Sequence, residues 1–147
     1  MIPVMQSTFY EPDVTPDKQR GNCLTAVVAS LMDLPIDGVP DFVQDDVDHD
    51  VDRGWDWWAR LQQFVCEHGS QVEYLRVEGD ETTAFRVPEP EEFYAVIGLS
   101  PRDPKIHHIV IYRDGQMVHD PHPDRTGLVK VTDTYHWTIA RTGGTHE

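Results

Sequence analysis

Cysteine is scarce in this 147-residue chain, which contains only Cys23 and Cys66. Two cysteines cannot supply the network of disulfides that stabilises many small secreted domains. A single bridge between them stays open as an alternative, but the count favours free thiols, with Cys66 packed on a helix. No signal peptide is recognisable near the N terminus, so we expect a protein of the reducing cytoplasm.

Positive charge is also in short supply, because 12 Lys and Arg stand against 26 Asp and Glu and the net charge is −14. Such a surface repels the phosphates of nucleic acids and anionic lipids, so we expect neither nucleic acid nor membrane as a partner. Long apolar runs are missing as well, and no segment reaches the roughly 18 residues that a membrane-spanning helix needs. The acidic residues clustered at 45–52 do not have the spacing of a calcium-binding loop and are read as a solvated loop.

The order of the hydrophobic periodicities predicts the fold class. Apolar residues at helical spacing indicate helices over residues 23–34 and 55–68. Six later segments have the alternation or the short apolar run of β-strands: 71–77, 93–99, 105–112, 116–119, 128–131 and 135–141. Helices followed by an antiparallel sheet indicate an α+β fold. The length fits a single domain over residues 1–147, and no internal repeat is visible.

The first predicted helix begins at a cysteine. Apolar residues at positions i, i+3, i+4 and i+7 from Leu24 share one face, and Asn22 suits the N-cap position. Cys23 then lies in the first turn, where the helix dipole favours the thiolate, which is the nucleophilic form. A packing role is the alternative, because free cysteine is among the most buried residue types.

A hairpin predicted over residues 106–123 carries the second chemical signal. The turn at Asp114-Gly115 joins two strands, so His108 near the start of the first strand lies beside Asp120 after the second. A carboxylate next to an imidazole fixes the imidazole tautomer, and the imidazole can in turn activate a thiol. The neighbouring His107 points to the opposite face of its strand.

Together these features resemble the papain-like cysteine peptidase superfamily over most of the chain. The shared pattern is a helix beginning at Cys23, then His108-Ile109-Val110 on one strand and Asp120-Pro121 after the next. The pattern is most similar to that of the C39-like peptidase group and its small bacteriophage-type members. The resemblance implies a papain-like fold without a cofactor, in which Cys23 is the nucleophile. It also implies that His108, rather than His107, is the general base and then acid, and that Asp120 orients it.

The opening segment Ile2-Pro3-Val4-Met5-Gln6 also resembles the start of C39-like peptidases. In that group a glutamine side chain donates a hydrogen bond to the oxyanion hole, and the resemblance gives this role to Gln6. Gln19 is a rival donor, because sixteen residues separate Gln6 from Cys23 and many relatives have fewer. Leu24 is a second departure, since the family often has glycine after the cysteine.

The leading hypothesis is a papain-like cysteine hydrolase, acting as a peptidase, an amidase or an acyl transferase on a peptide or amide-containing substrate. An acidic protein suits a basic substrate, and Trp55, Trp57 and Trp58 would belong to the core or to the wall of the cleft.

Two alternatives stay open. One is a catalytically silent binding or inhibitor protein of the same fold, which a bacteriophage origin would direct at a host factor in the host cytoplasm. The other is a zinc site built from imidazoles and one carboxylate, with His107, His108, His119, His122 and Asp120 as candidates. The oligomeric state is not predicted.

Overall fold

Helices and an antiparallel sheet form an α+β fold, as the sequence predicts. The computed structural model describes residues 1–7, 22–43, 56–76, 86–101, 107–131 and 135–141. Its helices are α1 (Cys23–Met32) and α2 (Asp56–Glu67), and a short 3-10 turn covers Ile36–Gly38. The strands are β1 (Ser70–Arg76), β2 (Phe93–Leu99), β3 (His107–Arg113), β4 (Gln116–His119), β5 (Lys130–Val131) and β6 (Tyr135–Arg141).

Within these ranges the six strands form one sheet, and neighbouring strands pair antiparallel. Five of them lie in the order β1-β6-β2-β3-β4, and β5 also pairs with β2. The β3–β4 hairpin therefore forms one edge of the sheet. Its turn is made by Asp114 and Gly115, which both have positive φ (54° and 79°), the geometry of the tight turns that match strand twist.

Helix α1 packs its apolar face on the sheet, mainly against β3. Leu24, Val27 and Val28 are buried in one cluster with Ile109 and Ile111 of β3. Burying side chains of this size contributes roughly 1.5–3 kcal/mol each. This packing fixes the helix that begins at the cysteine against the strand that carries the candidate histidine.

Helix α2 packs on β1, at the edge of the sheet opposite the β3–β4 hairpin. Trp58 donates a hydrogen bond from Nε1 to the Tyr74 hydroxyl (3.1 Å) and packs edge-on against Trp137 of β6. Trp57 and Trp58 are both half-buried and pack against the edge of the buried core cluster. Trp55 and the acidic cluster at 45–52 lie outside the described residues.

The two cysteines are both free thiols. Cys66, near the end of α2, is exposed, so the expectation that it packs is wrong. The apolar face of α2 lies one position earlier in the chain, at the fully buried Val65. Among the described helices, none is both long enough and apolar enough to cross a lipid bilayer.

Candidate active site

The hairpin brings His108 and Asp120 into direct contact, as its register predicts. His108 Nε2 lies 2.6 Å from Asp120 Oδ1, and both side chains are almost completely buried. Because a carboxylate only accepts hydrogen bonds, Nε2 carries the proton and donates it to Asp120. The other ring nitrogen, Nδ1, is then the one available to the thiol of Cys23.

A tight loop after β4 organises the Asp120 carboxylate. Besides the bond from His108, Oδ1 accepts the backbone N–H of His122 (2.9 Å) and Oδ2 accepts that of Gly127 (2.8 Å). Gly127 has φ of 72°, a conformation that glycine adopts without strain. Burial raises the pKa of Asp120, but the bonds from His108 and from the two backbone N–H groups outweigh it and hold that pKa below its ordinary value.

Cys23 interacts with His108 from the first turn of α1. Burial lowers the pKa of His108, but hydrogen bonds with Asp120 and Cys23, together with attraction to their negative charges, raise it to about 9. The imidazolium form is therefore favoured at neutral pH. Thiol, imidazole and carboxylate thus form one connected chain of interactions.

Asn22 occupies the N-cap position of α1 but makes no side-chain capping bond. Its Oδ1 accepts the backbone N–H of Ser7 (2.9 Å), and its Nδ2 donates to the Ser7 hydroxyl (2.9 Å). The prediction of an Asn22 N-cap is therefore correct in position and wrong in mechanism. The amide instead ties the N-terminal segment to the residue that precedes Cys23.

Gln6 lies in that N-terminal segment, which forms no strand but runs alongside α1. The N–H of Ile2 bonds to Asp33 Oδ1 (2.8 Å) near the end of α1, and the N–H of Val4 bonds to Ser30 Oγ (2.9 Å). With Ser7 bonded to Asn22, the segment follows the helix from its end to its beginning. Gln6 is 8% exposed and directly precedes the residue bonded at the helix start. The rival donor Gln19 lies outside the described residues.

The remaining histidines near the hairpin have separate surroundings. His107 is exposed, consistent with the alternation that turns it away from His108. His119 Nε2 bonds to the Val4 carbonyl, and the His122 ring packs edge-on against His108 at 6.3 Å. Over the described ranges, no group of three or more His, Cys, Asp or Glu side chains is arranged to hold a metal ion.

Comparison of the chain with protein-family models, with curated proteins and with solved structures finds no match.

Proposed function

We propose that the protein is a papain-like cysteine hydrolase or acyl transferase that uses Cys23, His108 and Asp120. The observation that carries this proposal is the orientation of His108. One ring nitrogen is bound to a buried carboxylate, and the ring as a whole interacts with a cysteine in the first turn of a helix. Covalent acyl transfer requires a nucleophile, a base in contact with it and a group that orients the base, and these three residues supply them in that order.

In the proposed reaction, the Cys23 thiolate attacks the carbonyl carbon of an amide or thioester. The developing oxyanion accepts hydrogen bonds from the Gln6 side chain and from the backbone N–H of Cys23. That N–H has no partner within the helix, because the hydrogen bonds of α1 begin with the N–H of Ala26. The imidazolium of His108 then donates a proton to the leaving group, which departs and leaves a thioester on Cys23.

His108, now neutral, accepts a proton from water or from an acceptor amine, which attacks the thioester carbonyl. Collapse of the second tetrahedral intermediate releases the acid or the new amide and restores the thiolate–imidazolium pair. A peptide or amide substrate fits this chemistry, and the net charge of −14 favours a basic one. Two free thiols suit a reducing cytoplasm.

The chain contains its own control for a test of this proposal. Cys66 is exposed, whereas Cys23 is partly buried, so accessibility alone would make Cys66 the faster thiol towards iodoacetamide. We expect the reverse at pH 6, with Cys23 alkylated at least about 10-fold faster, since the thiolate is the reactive species. Peptide mass mapping over time gives both rates in one sample.

Two variants distinguish activation of the Cys23 thiol by His108 from the effect of solvent exposure on the alkylation rate. His108→Ala should bring the Cys23 rate down to that of Cys66 or below, whereas Cys66→Ser should leave the Cys23 rate unchanged. Incubation with an activated ester should add one acyl group at Cys23, seen by intact mass. Alkylation of Cys23 no faster than that of Cys66, with no acyl adduct, would contradict the proposal and favour a silent binding protein.

A further inference from the structure

The N-terminal segment that carries Gln6 is bonded to the hairpin as well as to α1. His119, the last residue of β4, lies 2.7 Å through Nε2 from the carbonyl oxygen of Val4, 115 residues away in sequence. A carbonyl oxygen only accepts, so Nε2 carries the proton and donates it. His119 is 9% exposed and Val4 is half-buried, so the bond is partly shielded from water.

A second bond secures the same segment two residues further on. The backbone N–H of Gln6 donates to the carbonyl of Pro121 (3.0 Å). His119 and Pro121 flank Asp120 directly, so the bonds from the hairpin to Val4 and Gln6 come from the two neighbours of the orienting carboxylate. The residue proposed to stabilise the oxyanion is thus tied to the strand end that orients the proposed base.

We infer that His119 is a positioning residue, which fixes the Gln6 side chain at the oxyanion site through its bond to the Val4 carbonyl. The inference rests on the proposed function and adds a group that neither contacts the substrate nor belongs to the Cys23–His108–Asp120 chain. Its physical basis is that an oxyanion donor is effective only when it is already placed where the charge develops. Without His119, the bond from the Gln6 N–H to the Pro121 carbonyl would be the remaining one of these two bonds between the N-terminal segment and the hairpin.

The side chain at position 119 has to donate a hydrogen bond to the Val4 carbonyl, and few other residue types can do so. An apolar residue of similar size would fill the space but would leave the part-buried Val4 carbonyl without this donor, so the segment would lose one of the bonds that fix its position. Glutamine can place an amide N–H close to the position of Nε2, whereas asparagine is too short to do so. His119→Gln should therefore preserve the bond, and His119→Leu and His119→Asn should lose it.

Two reactions of Cys23 distinguish positioning from general damage. Alkylation by iodoacetamide forms no oxyanion and reports on the thiolate–imidazolium pair, whereas acylation by p-nitrophenyl acetate passes through a tetrahedral oxyanion. We expect His119→Leu and His119→Asn to lower the acylation rate at least about 10-fold while the alkylation rate changes less than about twofold. His119→Gln should restore acylation to within about threefold of the original protein.

A double-mutant cycle with Gln6→Ala completes the test. Gln6→Ala should reduce acylation by about 100-fold or more, as loss of an oxyanion donor does, and adding His119→Leu should then have little further effect. Independent, multiplying effects of the two changes, or acylation unaffected by both His119→Leu and His119→Asn, would overturn the role of His119 and leave the proposed function standing. Acylation of Cys23 no faster than that of Cys66 in the original protein would overturn both.

Discussion

Replacing Asp120 by asparagine removes the buried charge while keeping the shape of the side chain. Oδ1 accepts two bonds, from His108 Nε2 and from the His122 N–H, whereas Oδ2 accepts one, from the Gly127 N–H. An asparagine that keeps its oxygen towards His108 turns its NH₂ group onto the Gly127 N–H, so two donors face each other. Losing the charge and leaving one buried N–H unsatisfied should lower the free energy of unfolding by about 2–4 kcal/mol at pH 7.

The same change should alter how stability depends on pH. The pKa of His108 is raised from 6.5 to about 9 in the folded protein. The stabilisation linked to this histidine is therefore complete below pH 6.5 and is lost as pH rises through 9. The difference between these two pKa values corresponds to about 3 kcal/mol in the free energy of unfolding. Asp120→Asn should reduce this alkaline loss, because the pKa of His108 moves back towards its ordinary value without the carboxylate.

Urea unfolding followed by tryptophan fluorescence, at pH 6 and at pH 10, measures both effects. The exposed Asp37 offers a matched control, since Asp37→Asn removes the same charge from the surface. We expect Asp37→Asn to change stability by less than about 0.5 kcal/mol. An Asp120→Asn protein as stable as this control, with the pH dependence of the original protein, would show that the Asp120 carboxylate neither stabilises the fold nor raises the pKa of His108.

Three further predictions concern residues around the site and in the sheet. Burial alone lowers the pKa of His136 to about 4, so stability should fall by up to about 3 kcal/mol as pH drops from 6.5 towards 4, and His136→Phe should remove that slope in acid urea titrations. Gly127→Ala should cost about 1–2 kcal/mol in urea unfolding, because φ is 72° and the added Cβ would lie 3.1 Å from Met117 Sδ. Asn22→Ala removes two bonds to Ser7 and should lower the thermal midpoint by an amount equivalent to about 2 kcal/mol.

Local sequence signals account for much of the fold. The predicted strands over 93–99, 116–119 and 135–141 agree with β2, β4 and β6, since the alternation and the turn at Asp114-Gly115 act over a few residues. The contact of His108 with Asp120 was also predictable, because a two-strand hairpin sets which residues meet at its open end.

Contacts between distant segments had no such signal. Nothing local indicates that β1 pairs with β6, or that Asn22 bonds to Ser7 in preference to capping its own helix. The bond between His119 and Val4 spans almost the whole chain and depends on where two packed elements meet. Helical periodicity also does not decide which residues at the border of an apolar face are buried. On α2, Cys66 is exposed although it directly follows the fully buried Val65.

The ionic coupling of Cys23 to His108 is the claim on which the proposed chemistry depends, and an NMR titration of the His108 ring nitrogens tests it most directly. We expect His108 to stay protonated through neutral pH and to titrate with a pKa of about 9. Cys23→Ala should lower that pKa, because the hydrogen bond with Cys23 and the attraction to its negative charge are both removed. A pKa for His108 near 6.5, or a titration curve identical in the original protein and in Cys23→Ala, would contradict the coupling.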